Sequence, residues 1–344
     1  MTLNLEVVNP LEFESWDNLI NKSKQYSFFH SLAWAKVLFE SYKYKPFYNI
    51  VRKNNELSAL IPFMEVRSFT GRRGVSLPFS DYCNPIINGI DPQELLNGII
   101  KFGKKCKWQF LDIHGGEELF PGVDPSTRYY GHLLELAPDP NQIFSKFRDS
   151  TRRNIKKAVE LGVTIQMSSS LLSMHQFHHL HCLTRKRHKL PSQPFYFFKK
   201  IHENIISNNL GYIFKASFQN KIIGASIFFQ FGNKVIFKFG ASDLEYQHLR
   251  MNNLIMWEAI KWYAGAGYDC LFFGRTNINQ DGLRRFKSGW GADEFVMKYY
   301  KYDLANNSMA IRTNKLNSVS QLVFSKMPIL ASRALGALLY KYFG

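Results

Sequence analysis

The sequence predicts an α/β (α+β) protein: one module of mixed sheet and flanking helices, used twice, followed by a basic helical tail. Three observations predict it. The chain has 344 residues, more than one core usually organises, so two domains are expected. Two long stretches repeat each other. GYIFKASFQNKIIGASIFFQFG mirrors FYNIVRKNNELSALIPFMEV, KVIFKFGASD mirrors GVSLPFSDYCNP, and NNLIMWEAIKWYAGAGYDCLFFG mirrors PQELLNGIIKFGKKCKWQFLDIHG. The offset is nearly constant: Ile50 and Ile213 stand 163 positions apart, Asp112 and Phe273 161. Each copy reads hairpin, strand, helix, strand, an order that gives a mixed sheet covered by helices. The expected boundaries are 1–150, 151–304 and 305–344.

The elements follow in order. Residues 3–8 read as a strand and 10–24 as a polar helix. Phe29, Leu32, Trp34, Val37 and Leu38 are spaced for a helix that Ser31 caps and Pro46 ends. Two strands join at Lys53-Asn54-Asn55-Glu56, a hairpin signal. Gly71-Arg72-Arg73-Gly74 reads as a basic turn before a strand at 75–79. A helix is expected at 92–105, a strand at 108–113, a Gly/Pro-rich loop at 115–131 and a short strand at 132–136. Residues 141–161 form the clearest amphipathic helix, with Arg148, Arg152, Arg153, Lys156 and Lys157 on its polar side and Gly162 as its stop. The second copy repeats the hairpin, bending at Gln219-Asn220-Lys221. A strand at 235–239 leads through a polar loop (240–250) to a helix at 252–264 and a buried strand at 270–273. Then comes a Gly-Arg-Thr turn at 274–276.

Composition bounds the function. Hydrophobic residues are 45% and charged residues 21%, so a packed globular chain is expected. A net charge of +17 suits a polyanion, whether nucleic acid, a nucleotide diphosphate or an anionic membrane surface, or is simply a solvated basic surface. Cys83, Cys106, Cys182 and Cys270 form no C-x-x-C pair, which fits reduced thiols and a cytoplasmic location. No signal peptide and no apolar run of membrane-spanning length is visible. The tail carries leucines, valines and phenylalanines with Lys315, Lys326, Arg333 and Lys341 between them, broken by Pro328. It reads either as a helix docked on the body or as a peripheral anchor at the inner face of a membrane.

Five stretches carry candidate chemistry. In FGRTNINQDGLRRFKSGWG, Lys287 stands between Phe286 and a glycine, a setting in which a cation stabilises an oxyanion; the alternative is a surface lysine in a basic turn. In SDLEYQHLRMNNL a coenzyme A loop of the Gln-x-x-Gly-x-Gly kind would have glycines where Arg250 and Asn252 stand after Gln247, so the coenzyme A signal is weak. Arg250 is then a phosphate ligand or a helix-edge arginine. Arg185, Lys186, Arg187, His188 and Lys189 form a basic run suited to a diphosphate, or a solvated charge run. The histidines of MHQFHHLHC lack a carboxylate and read as a packed helix, so no metal is expected. Trp34 and Lys36 frame a cleft, or Trp34 is core.

Taken together, the duplicated module, the Trp34–Lys36 segment, FRDSTRRNIKKAVELGV, TRKRH before FYFF, GASDLEYQHLRMNNLIMWEAI and FGRTNINQDGLRRFKSGWG resemble the FemABX-like proteins. These are peptidoglycan-bridge peptidyltransferases and relatives in exopolysaccharide and exosortase-linked gene clusters. The resemblance implies two domains of the GNAT fold and transfer of an acyl or aminoacyl group to an amine. It makes Lys287, after Phe286, similar to the family lysine that supports the donor ester in the transition state. Lys36 resembles the first-domain lysine near the acceptor diphosphate, and Arg187 its second-domain partner. Tyr246 lies in the loop where the family places a cleft tyrosine. No long helical arm is visible.

The expected function is N-acyl or aminoacyl transfer to a cell-envelope precursor or a polysaccharide amine, with charged tRNA or acyl-CoA as donor. Arg250 and Arg275 join Lys36, Trp34, Arg187 and Tyr246 as expected substrate-binding residues. Asp243, Glu245 and Asp112 are candidate bases. The alternatives are acyl-CoA-dependent acylation in exopolysaccharide synthesis and a non-catalytic basic module for nucleic acid or anionic membrane.

Overall fold

The computed structural model describes residues 3–68, 71–310 and 329–343. These form two compact units: residues up to 129 with 296–310 and 341–343, and residues 130–295 with 329–340. The chain begins with β1 (Glu6–Val8), α1 (Trp16–Asn21), α2 (Leu32–Tyr42), β2 (Lys45–Lys53), β3 (Glu56–Ser68), β4 (Gly71–Val75), β5 (Ile86–Ile87), α3 (Pro92–Lys105) and β6 (Phe110–His114). It continues through β7 (Thr127–Glu135), α4 (Pro140–Ser145), α5 (Asp149–Glu160), β8 (Thr164–Ser168), α6 (Leu171–Arg187) and α7 (Phe195–Asn204). Then come β9 (Gly211–Phe218), β10 (Lys221–Phe231), β11 (Lys234–Ser242), α8 (Met251–Gly265), β12 (Cys270–Phe272), β13 (Thr276–Asn277) and α9 (Asp281–Ser288). Last are β14 (Asp293–Asp303), β15 (Ser308–Met309) and a C-terminal helix, Ile329–Phe343.

The duplication is real at the level of pairing. In the first unit β2 and β3 form a hairpin, β3 pairs antiparallel with β4, and β4 runs parallel to β6. In the second, β9 and β10 form the hairpin, β10 pairs antiparallel with β11, and β11 runs parallel to β12. The turns share a cause. Asn54 and Asn55, and likewise Gln219 and Asn220, take positive φ, which two-residue hairpin turns require to match strand twist. Each module is extended by a strand lying beyond it in sequence. β14, which follows the second module, pairs with β6, and β7, which follows the first, pairs with β12.

Two aromatic cores hold the units. Leu95, Ile99, Trp108, Leu111, Ile113 and Tyr300 centre the first. Phe147, Phe214, Phe228, Ile255, Tyr263, Leu271 and Trp290 centre the second. Helix α3 is the best-capped helix: Asp91 accepts from the backbone N–H groups of Gln93 (2.7 Å) and Glu94 (3.0 Å), and Pro92 opens the first turn.

Several expected elements differ. Strand β7 begins at Thr127, inside the loop expected over 115–131, and runs to Glu135 where a short strand over 132–136 was expected. Residues 71–74 form a strand instead of a turn, because their backbone pairs with both β3 and β6. Gly74 serves there as a flat seat: a Cβ would stand 2.3 Å from the Trp108 ring. The strand expected at 75–79 stops at Val75, since Leu77 and Phe79 take φ of 56° and 60°. The single helix expected over 141–161 is two, α4 and α5. Arg148 is extended between them, and its N–H donates to the carbonyl of Gly289 at 3.0 Å. A tertiary hydrogen bond there replaces a helical one.

Part of the expected tail, 311–328, lies outside the described residues. The helix 329–343 packs on the loop that follows α6. Tyr340 is buried, donates its hydroxyl to the Pro191 carbonyl (3.0 Å) and accepts from Arg185 Nη2 (2.8 Å). No helix among the described residues is long and apolar enough to cross a membrane.

Candidate active site

The parallel pair β11/β12 of the second unit is short, and its strands part early. The two strands pair only over Lys234–Ile236 and Cys270–Phe272. β11 then continues to Ser242, while the chain of β12 turns away at Gly274, which has φ 69°. A bulge adds to the divergence. Ile227 faces Phe239 and Phe228 faces Phe237, so Lys238 is the extra residue of β11. Carboxyl ends of parallel strands are where open α/β sheets bind ligands.

Helix α9 closes this end. Lys287 points inward from it and is 2% exposed. Its Nζ donates to the carbonyls of Gly274 (2.8 Å) and Arg275 (3.0 Å), the two residues at which the chain turns away. A buried ammonium is tolerated only with such partners. Phe286 packs edge-on against buried Trp290, with ring centroids 5.7 Å apart. Gly289 lets the end of α9 approach α5: a Cβ there would meet Thr151 Oγ1 at 2.6 Å. Thr276 Oγ1 and Trp290 Nε1 are buried nearby with no hydrogen-bond partner among the described residues.

One turn earlier on the same helix is a second network. Arg284 makes a two-pronged contact with Glu294, 2.7 Å and 2.6 Å, and its guanidinium lies over the Tyr130 ring, 3.8 Å from the centroid. Glu294 Oε2 is also 3.0 Å from Nε2 of His132, whose side chain is fully buried. That contact is off the line of a good hydrogen bond, and neither ring nitrogen has a well-aligned partner among the described residues. Burial holds the His132 pKa below its ordinary value; Glu294 opposes this and Lys287 adds to it. The Arg284 hydrogen bonds hold the Glu294 carboxyl low despite partial burial. Arg148, Asp281, Arg284, Arg285, Ser288 and Glu294 line a cavity of about 520 Å³ on this side.

The other expected residues are distributed as follows. Arg275 is exposed beside the Lys287 contacts. Arg250 is exposed at the head of α8 with φ 58°, so its backbone keeps the left-handed turn that a loop glycine would take. Tyr246 lies in the same loop, and its hydroxyl accepts from Lys221 Nζ at 3.2 Å. Arg187 ends α6, and its Nη1 is buried with no hydrogen-bond partner among the described residues. One turn earlier, Thr184 bonds the backbone of Ser242, placing this end of α6 at the end of β11. Trp34 and Lys36 belong to the first unit. Trp34 is fully buried against Phe28 and Phe29, and Lys36 is exposed on α2.

Of the candidate bases, Asp243 caps Glu245 N–H and pairs with Lys221, and Glu245 is exposed. Asp112 lies in the first unit, 3.8 Å from Arg73. In the histidine-rich helix, His178 contacts the Gln193 carbonyl at 3.0 Å and His175 stacks on Phe195. Sequence reasoning missed His132, Arg284 and Glu294. The only signal for them was two charged residues near Lys287, and His132 sits alone in an apolar strand.

Residues 145–301 match the acetyltransferase (GNAT) domain family. Among solved structures, the crystal structure of FemX superposes with a TM-score of 0.68 at 12% identity, covering 88% of this chain and 98% of that one. A tandem GNAT protein from the clavulanic acid biosynthesis pathway gives 0.55 at 8% identity over 88% and 98%. A C-terminal domain from Agrobacterium fabrum, described as that of a lysylphosphatidylglycerol synthetase, gives 0.51 at 9% over 94% and 95%. At such identities the likeness is one of fold. No curated protein matches the sequence.

Proposed function

We propose that this chain, an acyltransferase with a tandem GNAT-like fold, moves an aminoacyl group from an ester donor of the aminoacyl-tRNA kind to an amine of a cell-envelope precursor. The observation that carries the reading is Lys287: a buried cation pinned by two backbone carbonyls at the open end of the parallel pair.

The chemistry follows from that placement. The acceptor amine attacks the donor carbonyl carbon, and the carbonyl oxygen takes up negative charge. The Lys287 ammonium stabilises that oxygen in a site of low polarity, where a fixed charge acts more strongly than in water. The ester C–O bond then breaks, the donor hydroxyl leaves with a proton, the new C–N bond remains as an amide, and the amine loses one proton to solvent. Arg187 is assigned to a phosphate of the acceptor because its Nη1 is already desolvated and lacks a partner among the described residues. The exposed cations of α5 (Arg153, Lys156 and Lys157) supply a basic face suited to a polyanionic donor.

A second reading, with acyl-CoA as donor, is favoured by one observation. Arg250 preserves the left-handed turn ahead of α8, the backbone shape that presents helix N–H groups to a phosphate. The discriminating assay incubates the purified chain and a muropeptide amine with labelled aminoacyl-tRNA or with labelled acetyl-CoA. Transfer from the tRNA alone, lost in Lys287→Met, is expected. Transfer from acetyl-CoA alone overturns the donor assignment.

A further inference from the structure

We propose that His132 and Glu294 are positioning residues for Lys287: they seat α9 while the imidazole is neutral and loosen it when the imidazole is protonated. The inference rests on Lys287 being the oxyanion-stabilising group of the acyl transfer.

The geometry has three parts. Tyr130 and His132 are alternate residues of β7, so their side chains leave the same face of the strand. Arg284 and Lys287 are three apart on α9 and share a side of that helix. Glu294, at the start of β14, joins the two sets, through the forked contact with Arg284 and the 3.0 Å contact with His132. Phe295 fixes the same segment, its ring lying where a Cβ on Gly131 would come within 2.5 Å. Helix α9 is thereby tied down twice, through Arg284 on Glu294 and, one turn later, through Lys287 on the carbonyls of Gly274 and Arg275.

Charge decides how this responds to acid. The charged groups that bear on His132 are Glu294, in contact with it, and Lys287 and Arg284 through their charge. With neutral imidazole they sum to one carboxylate and two cations. Protonation adds a third cation, fully buried, that the charges of Lys287 and Arg284 disfavour. Burial already disfavours that state, so it is reached by moving α9 or Lys287. A fully buried histidine with two poorly partnered nitrogens is a costly residue for a purely structural role.

The test is an NMR titration of the His132 imidazole in wild type and two variants. Lys287→Met removes the neighbouring cation and raises the His132 pKa; Glu294→Gln removes the carboxylate and lowers it. An unmoved titration in Lys287→Met overturns the proposal. Should that variant fail to fold, hydrogen exchange across 281–291, corrected for intrinsic rates, decides. Protection is expected to fall with His132 protonation in wild type and to stay level in His132→Gln; equal behaviour in the two overturns it. In the transfer assay, His132→Gln flattens the acid limb of kcat and leaves KM unchanged. If wild type transfers from neither donor while the titration still responds to Lys287, the functional reading fails and the coupling stands.

Discussion

At the end of β6 in the first unit, His114 stacks on Tyr299, ring centroids 4.4 Å apart, and its Nδ1 lies 2.9 Å from Ser80 Oγ. At the matching end of β12 in the second unit, the backbone carbonyls of Gly274 and Arg275 receive a buried lysine. The preceding strands, their pairing directions and the helix before them correspond element by element. The strand-end chemistry does not. One unit closes this end with an aromatic stack and a hydroxyl; the other puts a cation there, on a helix that the first lacks at this point. Duplication kept the backbone plan, because hairpin turns and sheet pairing are set locally and by strand pattern. Side chains at the strand ends carry little of the fold and were free to diverge.

The sharpest way to test that contrast is a matched pair of core truncations. Trp290→Ala and Trp108→Ala each remove a large buried ring and should each cost about 3–5 kcal/mol in denaturant unfolding. Only Trp290→Ala should also abolish transfer at temperatures where both variants remain folded. Equal losses of activity would break the comparison. Next, Lys287→Met should lower kcat about 10²–10³-fold, the usual effect of removing one oxyanion donor; near-normal turnover removes Lys287 from the mechanism.

Arg187→Ala should raise the acceptor KM about tenfold, the loss of a charge-assisted hydrogen bond, with kcat little changed. A pH series sharpens the picture further. Burial holds His132, His178 and His181 below the ordinary imidazole value of 6.5. Below that pH the unfolded chain binds protons that the native chain does not, so stability is complete above about pH 6.5 and falls on acidification. All three histidines belong to the second unit, so acid should release hydrogen-exchange protection there first. The smallest effect is expected from Asp91→Ala, which removes the α3 cap at a cost of about 1 kcal/mol with no change in transfer rate.

Particular elements show how far the sequence could be read. The α3 range was legible to the residue because Asp91, Pro92 and the apolar spacing agree locally. The hairpins were legible because asparagine and glutamine at their bends tolerate positive φ. The strand at 71–75 was not, since Gly74 serves the Trp108 ring, a partner 34 positions away, and Gly71 the Gln109 side chain. The break at Arg148 was equally hidden, because the acceptor that ends α4 is Gly289. Of the candidate site, Lys287 and Phe286 stood out through the family resemblance, their setting alone fitting a surface lysine in a basic turn as well; the burial of Lys287 is a tertiary fact. His132 and Glu294 were not, being 162 residues apart and brought together only by folding.

The sequence by itself determined the duplicated α/β module, its turns and caps, and the lysine that marks the second copy. These rest on local φ/ψ preference and on hydrophobic period, which act over a few residues. Only the tertiary structure decided which strand is added to each module, that α9 is held at two points, and that a buried histidine meets Glu294, the carboxylate that also holds α9. Those depend on burial and on charges from distant segments meeting in a medium of low polarity, where their interactions become strong enough to choose.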